Sequence, residues 1–309
     1  MFIENAYKGK SDSWRYIVGF FIILLIYFFM SFMAMIALGI ALIPKVGAEE
    51  LAGISPTEMF SILESNTILF FTLLPFAFTL FGTLISARYL HDQPLKYLFT
   101  TRSSFDWSRV AFSFMLVTFL AVLSLIINLA LSPDDFRWNY DADRFFGLII
   151  IAVLMIPLQT TAEELLFRGY LLQGLGVAFK SRLAPFLITS ITFGLLHSFN
   201  PEVSKLGYGL ISTYIITGLF FGIMTLMDEG LELAIGFHAA NNILIALLVT
   251  SDWTAFQTNS LYKDFSDPSL AKYITLPIIM YSLVGFIFTK KYKWTGWKSK
   301  LTGPVSNPS

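Results

Sequence analysis

The chain has 309 residues, 55% hydrophobic and only 14% charged, with 32 phenylalanines and a mean hydropathy of +0.67; soluble domains carry about 25% charged residues, so this is a polytopic membrane protein. Lys plus Arg and Asp plus Glu each number 21, giving a net charge of zero, and no basic excess points to nucleic acid. Cysteine is absent, which excludes disulfides, thiolate nucleophiles and thiolate metal sites together and leaves oxygen and nitrogen side chains for any chemistry.

A membrane-spanning helix needs about 20 mostly apolar residues. Eight segments qualify or nearly do, at approximately 16–43, 67–88, 110–131, 145–168, 184–199, 207–227, 231–250 and 273–289. The expected fold class is therefore all-α, a polytopic bundle of about eight transmembrane helices. The first run, Tyr16 to Ile43, exceeds the ~7 to 15 residue apolar core of a cleavable signal and follows acidic as well as basic residues, so it reads as a retained anchor. The connection at 89–109 holds Pro94-Leu95-Lys96-Tyr97-Leu98-Phe99 and Phe105-Asp106-Trp107, the aromatic and basic mixture of an interfacial anchor. Between Ser132 and Asp143 lie four aspartates with Phe136, Trp138 and Tyr140. No histidine backs those acids, which argues for a solvated cap rather than a metal site. The fifth segment is the shortest and is expected to be buried among its neighbours. The tail Gly303–Ser309 has the Pro/Ser/Asn composition of disordered chain. There is no internal repeat and no inverted pair of broken helices of the transporter kind.

Counted over alternate connections, fifteen Lys and Arg fall on one side of the membrane and six on the other. The positive-inside rule then puts both termini in the cytoplasm, as an even number of spans requires. The organisation divides into residues 1–144, the first three helices with the interfacial loop; 145–250, helices four to seven; and 251–309, an outer loop, the last helix and the tail.

The fourth segment contains Thr161-Ala162-Glu163-Glu164-Leu165-Leu166-Phe167-Arg168. Each ionisable side chain in a spanning helix costs about 2.5–3.5 kcal/mol on insertion scales, so a chain that keeps several there has a use for them. Glu164 and Arg168 are four apart and face the same way, in the favourable order for an ion pair. Glu163 is turned from Glu164 by about 100° and looks to a different face. A carboxylate in a low-dielectric pocket is a capable general base for water. The bland alternative is that both glutamates only bond to neighbouring helices. Phe193 and His197 end the fifth segment, and His238 and Asn242 share one face of the seventh. Together these groups suit a divalent metal such as zinc, with Glu163, His197 and His238 as ligands. They suit equally a metal-free site, with Glu163 as base and His238 and Asn242 as donors to an oxyanion.

The three segments resemble the three signature motifs of the CPBP family, the CAAX proteases and bacteriocin-processing enzymes also called the Abi family. Glu-Glu-x-x-x-Arg stands at Glu163, Glu164 and Arg168, Phe-x-x-x-His at Phe193 and His197, and His-x-x-x-Asn at His238 and Asn242. The resemblance covers about 145–250. It implies an eight-helix intramembrane endopeptidase related to type II CAAX prenyl endopeptidases, its site open toward the cytoplasmic half of the bilayer. It further implies that Glu163 activates the attacking water with His197, that His238 and Asn242 stabilise the tetrahedral intermediate, and that Glu164 and Arg168 support them. The partners it implies are membrane lipid and a peptide or protein substrate, lipidated or not; a bacterial plasma membrane is the expected setting. Two other classes stay open at this point, an ion-coupled transporter using the acids and histidines as a relay, and a non-catalytic scaffold or immunity factor. Simple counting places Glu163 and His238 near the cytoplasmic halves of their helices and His197 toward the far end of its own, a mismatch that a tilted or late-starting fifth helix near Pro185 would remove.

Overall fold

Apolar side chains drive these segments into lipid, where every backbone N–H and C=O must be paired within its own segment, and helices are the open-ended solution. The computed structural model describes residues 1–50, 53, 54 and 56–307. It contains α1 (Ser13–Val46), α2 (Ser65–Ile85, running through a π-helical turn to Leu90), α3 (Trp107–Leu131) and α4 (Ala142–Phe179). These are followed by α5 (Leu183–Leu196), α6 (Ile211–Asp228), α7 (Glu232–Leu248) and α8 (Leu270–Tyr292). All eight expected apolar segments are helical. Among the described residues, six helices are long and apolar enough to cross a membrane, and the shorter apolar helices that hold α5 and α7 are not. Polar residues mark where chains enter helices: the carboxylates of Glu64, Asp106 and Asp141 accept from the N–H of Thr67, Ser108 and Arg144 at the starts of α2, α3 and α4.

Of the two short helices only α7 is central; α5, expected to be buried among its neighbours, packs one face on α6 and leaves Leu187, Ile188, Ile191, Leu195 and Leu196 facing outward. α7 is buried along most of its first three turns, including Glu232, Phe237 and His238, and packs on α3 and α4. α2 lies on α1 and α4, α5 on α6, and α6 on α8. α1, 34 residues and so about 51 Å long, leaves Phe21, Leu25, Phe28 and Phe32 facing outward, as a helix against lipid does.

Three features depart from expectation. A small sheet closes one end of the bundle, from β1 (Phe136–Trp138), β2 (Val249–Thr250) and β3 (Tyr262–Asp264) in the order β1-β3-β2. β1 and β3 run antiparallel with Arg137 opposite Lys263, and β2 and β3 run parallel. The segment Leu165–Leu171 of α4 winds as a π-helix rather than an α-helix. The start of the expected disordered tail is docked: the Arg182 N–H donates to the Gly303 carbonyl at 3.0 Å, the Val305 N–H to the Lys180 carbonyl at 3.1 Å, and Val305 is buried; Pro308 and Ser309 lie outside the described residues.

At the end opposite the sheet, Phe2 and Ile3 are buried, and Asn5 donates to the Tyr97 and Thr100 carbonyls at 3.0 and 3.2 Å. The Glu4 carboxylate pairs with Arg182. Nearby, Arg102 bonds Asp228 at 2.8 Å and Glu232 at 3.0 Å, tying the 89–109 connection to the α6–α7 turn.

Candidate active site

Glu163 and Glu164 are the last residues of the regular part of α4, and the π-helical turn that carries Arg168 begins directly after them. Such a turn inserts an extra residue and is a frequent device at functional sites. Glu164 and Arg168 are both fully buried, with Arg168 Nη1 donating to Glu164 Oε1 at 3.2 Å. The guanidinium lies 4.3 Å over the Phe193 ring, and Nη2 donates to the Gly218 carbonyl at 3.2 Å. Position 218 must be glycine for this to happen, because a Cβ there would stand 2.7 Å from the Ser190 carbonyl oxygen of α5.

Glu164 Oε1 also meets His238 Nδ1 at 2.9 Å. A carboxylate paired to Arg168 is an acceptor only, so Nδ1 carries the hydrogen and donates. Nε2 on the other side of the ring then faces Glu163, 3.6 Å from its Oε2, beyond direct hydrogen-bonding distance. One histidine thus stands between two carboxylates. Glu163 Oε1 accepts from Gln159 Nε2 at 2.7 Å, while Glu163 Oε2 is buried and has no hydrogen-bond partner. Asn242, one turn along α7 from His238, donates from Nδ2 to Gln159 Oε1 at 3.1 Å and accepts at Oδ1 from Asn241 at 3.1 Å.

His197 comes from the end of α5. Its Nδ1 is 2.7 Å from the Phe193 carbonyl, which can only accept, so Nδ1 carries the hydrogen and Nε2 is left for other work. The ring stacks on Tyr214 of α6, with centroids 4.2 Å apart and planes at 20°, and it lies within electrostatic reach of Glu163, His238 and Arg168. The depth mismatch seen in the sequence has a simple resolution: α5 has 14 residues and spans about 21 Å, well short of the ~30 Å hydrocarbon thickness. Its C-terminal histidine is therefore presented part-way through the bundle.

The three side chains expected to share a metal are not gathered into one ligand set. Among the described residues no group of three His, Asp or Glu is arranged to hold a metal ion. His238 Nδ1 is engaged by Glu164 and His197 Nδ1 by the Phe193 carbonyl, which fixes both rings and leaves both Nε2 atoms to the site.

Residues 144–244, the stretch that holds every one of these groups, match the profile of the family described as type II CAAX prenyl endopeptidase Rce1-like. This segment is an Rce1-like domain. The helices around it extend the likeness to YyaK of Bacillus subtilis (strain 168), a protein described as uncharacterized, which is 27% identical over 258 residues covering 82% of each chain. No solved structure matches. The Rce1-like match, over about a third of the chain, lies among six span-length apolar helices and supports an integral membrane protein with a segment similar to CAAX-type proteases, a class that acts on peptides or proteins.

Two neighbours of the Rce1-like motifs escape a reading by motif. Gln159 lies one helical turn before Glu163, so an i, i+4 search around the glutamates finds it. Tyr214 has no local signal, since its contact with His197 joins two helices.

Proposed function

We propose that the chain is an intramembrane endopeptidase that hydrolyses a peptide bond in a membrane-associated peptide or protein, with Glu163 as general base. The observation that carries this reading is the inequality of the two glutamates. Each carboxylate keeps one buried oxygen without a partner, but Glu164 Oε1 already takes both Arg168 and His238 Nδ1, whereas Glu163 carries no cation and its free Oε2 lies 3.6 Å from His238 Nε2. A distance of 3.6 Å between two polar atoms suits a small molecule bonded to both. In this reading the substrate water bonds to these two atoms.

In this reading Glu163 Oε2 takes a proton from the water, and His197 Nε2 holds the water in line. The water oxygen adds to the scissile carbonyl carbon as the carbonyl electrons move onto its oxygen. That oxyanion is stabilised by His238, whose ring Glu164 fixes, and by the second Nδ2–H of Asn242. Collapse breaks the carbon–nitrogen bond, and the proton held by Glu163 passes to the leaving amine. Arg168 pairs with Glu164, and Glu164 holds the His238 ring in place. The end of the bundle that carries most of the lysines and arginines, with both termini, faces the cytoplasm, and a bacterial plasma membrane is the setting, consistent with the Bacillus relative.

The test is cleavage of internally quenched peptides by the detergent-purified chain. One ends in a prenylated cysteine plus three residues, a second lacks the lipid, and wild type is set against Glu163→Gln. Cleavage by wild type and loss of about 10³-fold or more in the variant is expected; full turnover by Glu163→Gln would overturn the assignment. Preference for the prenylated peptide would define the substrate as lipidated. A chelator in the same assay separates a glutamate-held water from a metal-held one.

A further inference from the structure

Gln159 is more than nine-tenths buried in α4, with 6% exposure, and it touches both chemical partners at once. Its Nε2 donates to Glu163 Oε1 at 2.7 Å, and its Oε1 accepts from Asn242 Nδ2 at 3.1 Å. The polarity of this chain is dictated from one end. An ionised Glu163 has no hydrogen to give, so the Gln159 amide must turn its nitrogen to Glu163 and hence its oxygen to Asn242. Asn242 in turn must present its nitrogen to Gln159, and its oxygen is taken by Asn241 Nδ2 at 3.1 Å.

Two consequences follow for the site. Engaging Glu163 through Oε1 leaves Oε2 as the oxygen that faces His238. Engaging one Asn242 Nδ2–H fixes the plane of that amide and leaves its second N–H as the hydrogen with no partner. We infer that Gln159 is a positioning residue that couples the general base to the oxyanion donor, holding Glu163 and Asn242 in one mutual arrangement. This rests on the hydrolytic reading above. The coupling is electrostatic as well as steric: when Glu163 takes a proton its pull on the Gln159 N–H weakens, so the network is tightest with the base ready.

The experiment measures kcat and KM separately for Gln159→Met, Gln159→Glu, Asn242→Ala and the Gln159→Met/Asn242→Ala double variant, on whichever quenched peptide wild type cleaves. Gln159→Met keeps length but removes both bonds, and is expected to lower kcat about 10- to 100-fold with KM within about twofold, the signature of misplacement rather than lost binding. Gln159→Glu keeps the acceptor for Asn242 but sets a carboxylate against Glu163, and is expected to lose more; it also serves if the methionine variant fails to fold, which thermal unfolding and gel filtration decide. The double variant is expected to fall much less than the product of the single losses, because Gln159 acts partly through Asn242. Normal kcat in a folded Gln159→Met, a loss confined to KM, or multiplicative losses would each overturn the coupling. Glu163→Gln in the same assay separates the two levels: if it is dead while Gln159→Met is normal, only the role of Gln159 falls, and if it is fully active the hydrolytic reading falls first.

Discussion

Arg168→Met removes a cation that is wholly buried and leaves its partner behind. Glu164 is also fully buried, so its carboxylate would keep only the His238 N–H at 2.9 Å. Breaking a buried pair by deleting one member costs about 3–5 kcal/mol. The Gly218 carbonyl loses its 3.2 Å donor, which adds about 1 kcal/mol, and the contact of the guanidinium with Phe193 at 4.3 Å adds a similar amount. These are not additive, and a total of about 4–5 kcal/mol is expected. Glu164→Gln in the same chain removes the stranded charge yet still accepts from His238, so the double variant should recover at least about 2 kcal/mol over Arg168→Met alone. Reversible unfolding in mixed micelles, followed by far-ultraviolet circular dichroism, measures both. A loss below about 1 kcal/mol for the single variant, or a double variant no more stable than the single, would refute the pairing argument.

Tyr214→Leu should lower kcat about tenfold by freeing the His197 ring, while Tyr214→Phe keeps the stacked face and should stay within about threefold of wild type; equal losses in the two would show that stacking does not matter. Glu202, in the turn that follows His197, accepts from the Ala255 N–H at 2.7 Å through one oxygen while the other is buried without a partner. Burial raises its pKa above the ordinary 4.5, so the fold favours the protonated acid and bears a cost once pH rises through the shifted value. Glu202→Gln is therefore expected to raise the unfolding temperature at about pH 7, with the gain gone below about pH 4.5. An equal gain at both pH values would contradict a titration origin.

The helices were legible because lipid leaves a chain few choices: an apolar run of sufficient length is helical in place, and all eight runs are. Glu164 and Arg168 were legible as a pair because a four-residue spacing is local geometry, and they meet at 3.2 Å. The His238–Asn242 spacing showed a shared face, but the partners of that face, Glu164 at 74 residues' separation and Gln159 at 83, are set by how α7 packs on α4. The choice between a metal-held and a metal-free site was not legible for a related reason. Residue types name possible ligands, whereas distances decide a ligand set, and the bonds that fix the two rings, His197 Nδ1 to the Phe193 carbonyl and His238 Nδ1 to Glu164, are displayed by no motif. The sheet was invisible because its strands are only two or three residues long and β1 and β3 pair across a long stretch of intervening chain. The π-helical turn at Leu165–Leu171 likewise has no mark in an apolar stretch with ordinary helix formers.

The short turn Lys180–Arg182 receives both extremities of the described chain: Glu4 pairs with Arg182, Gly303 accepts from the backbone of Arg182, and Val305 donates to Lys180. These two segments lie before α1 and after α8 in the sequence. The amino-terminal residues must wait outside their berth until α4 and the turn behind it exist, and the turn itself is not fully occupied until α8 has crossed. Closure of this bundle is therefore completed where segments from before α1 and after α8 arrive at the same short turn, and a bulky substitution in either of them would contest that closure while leaving the helices free to insert.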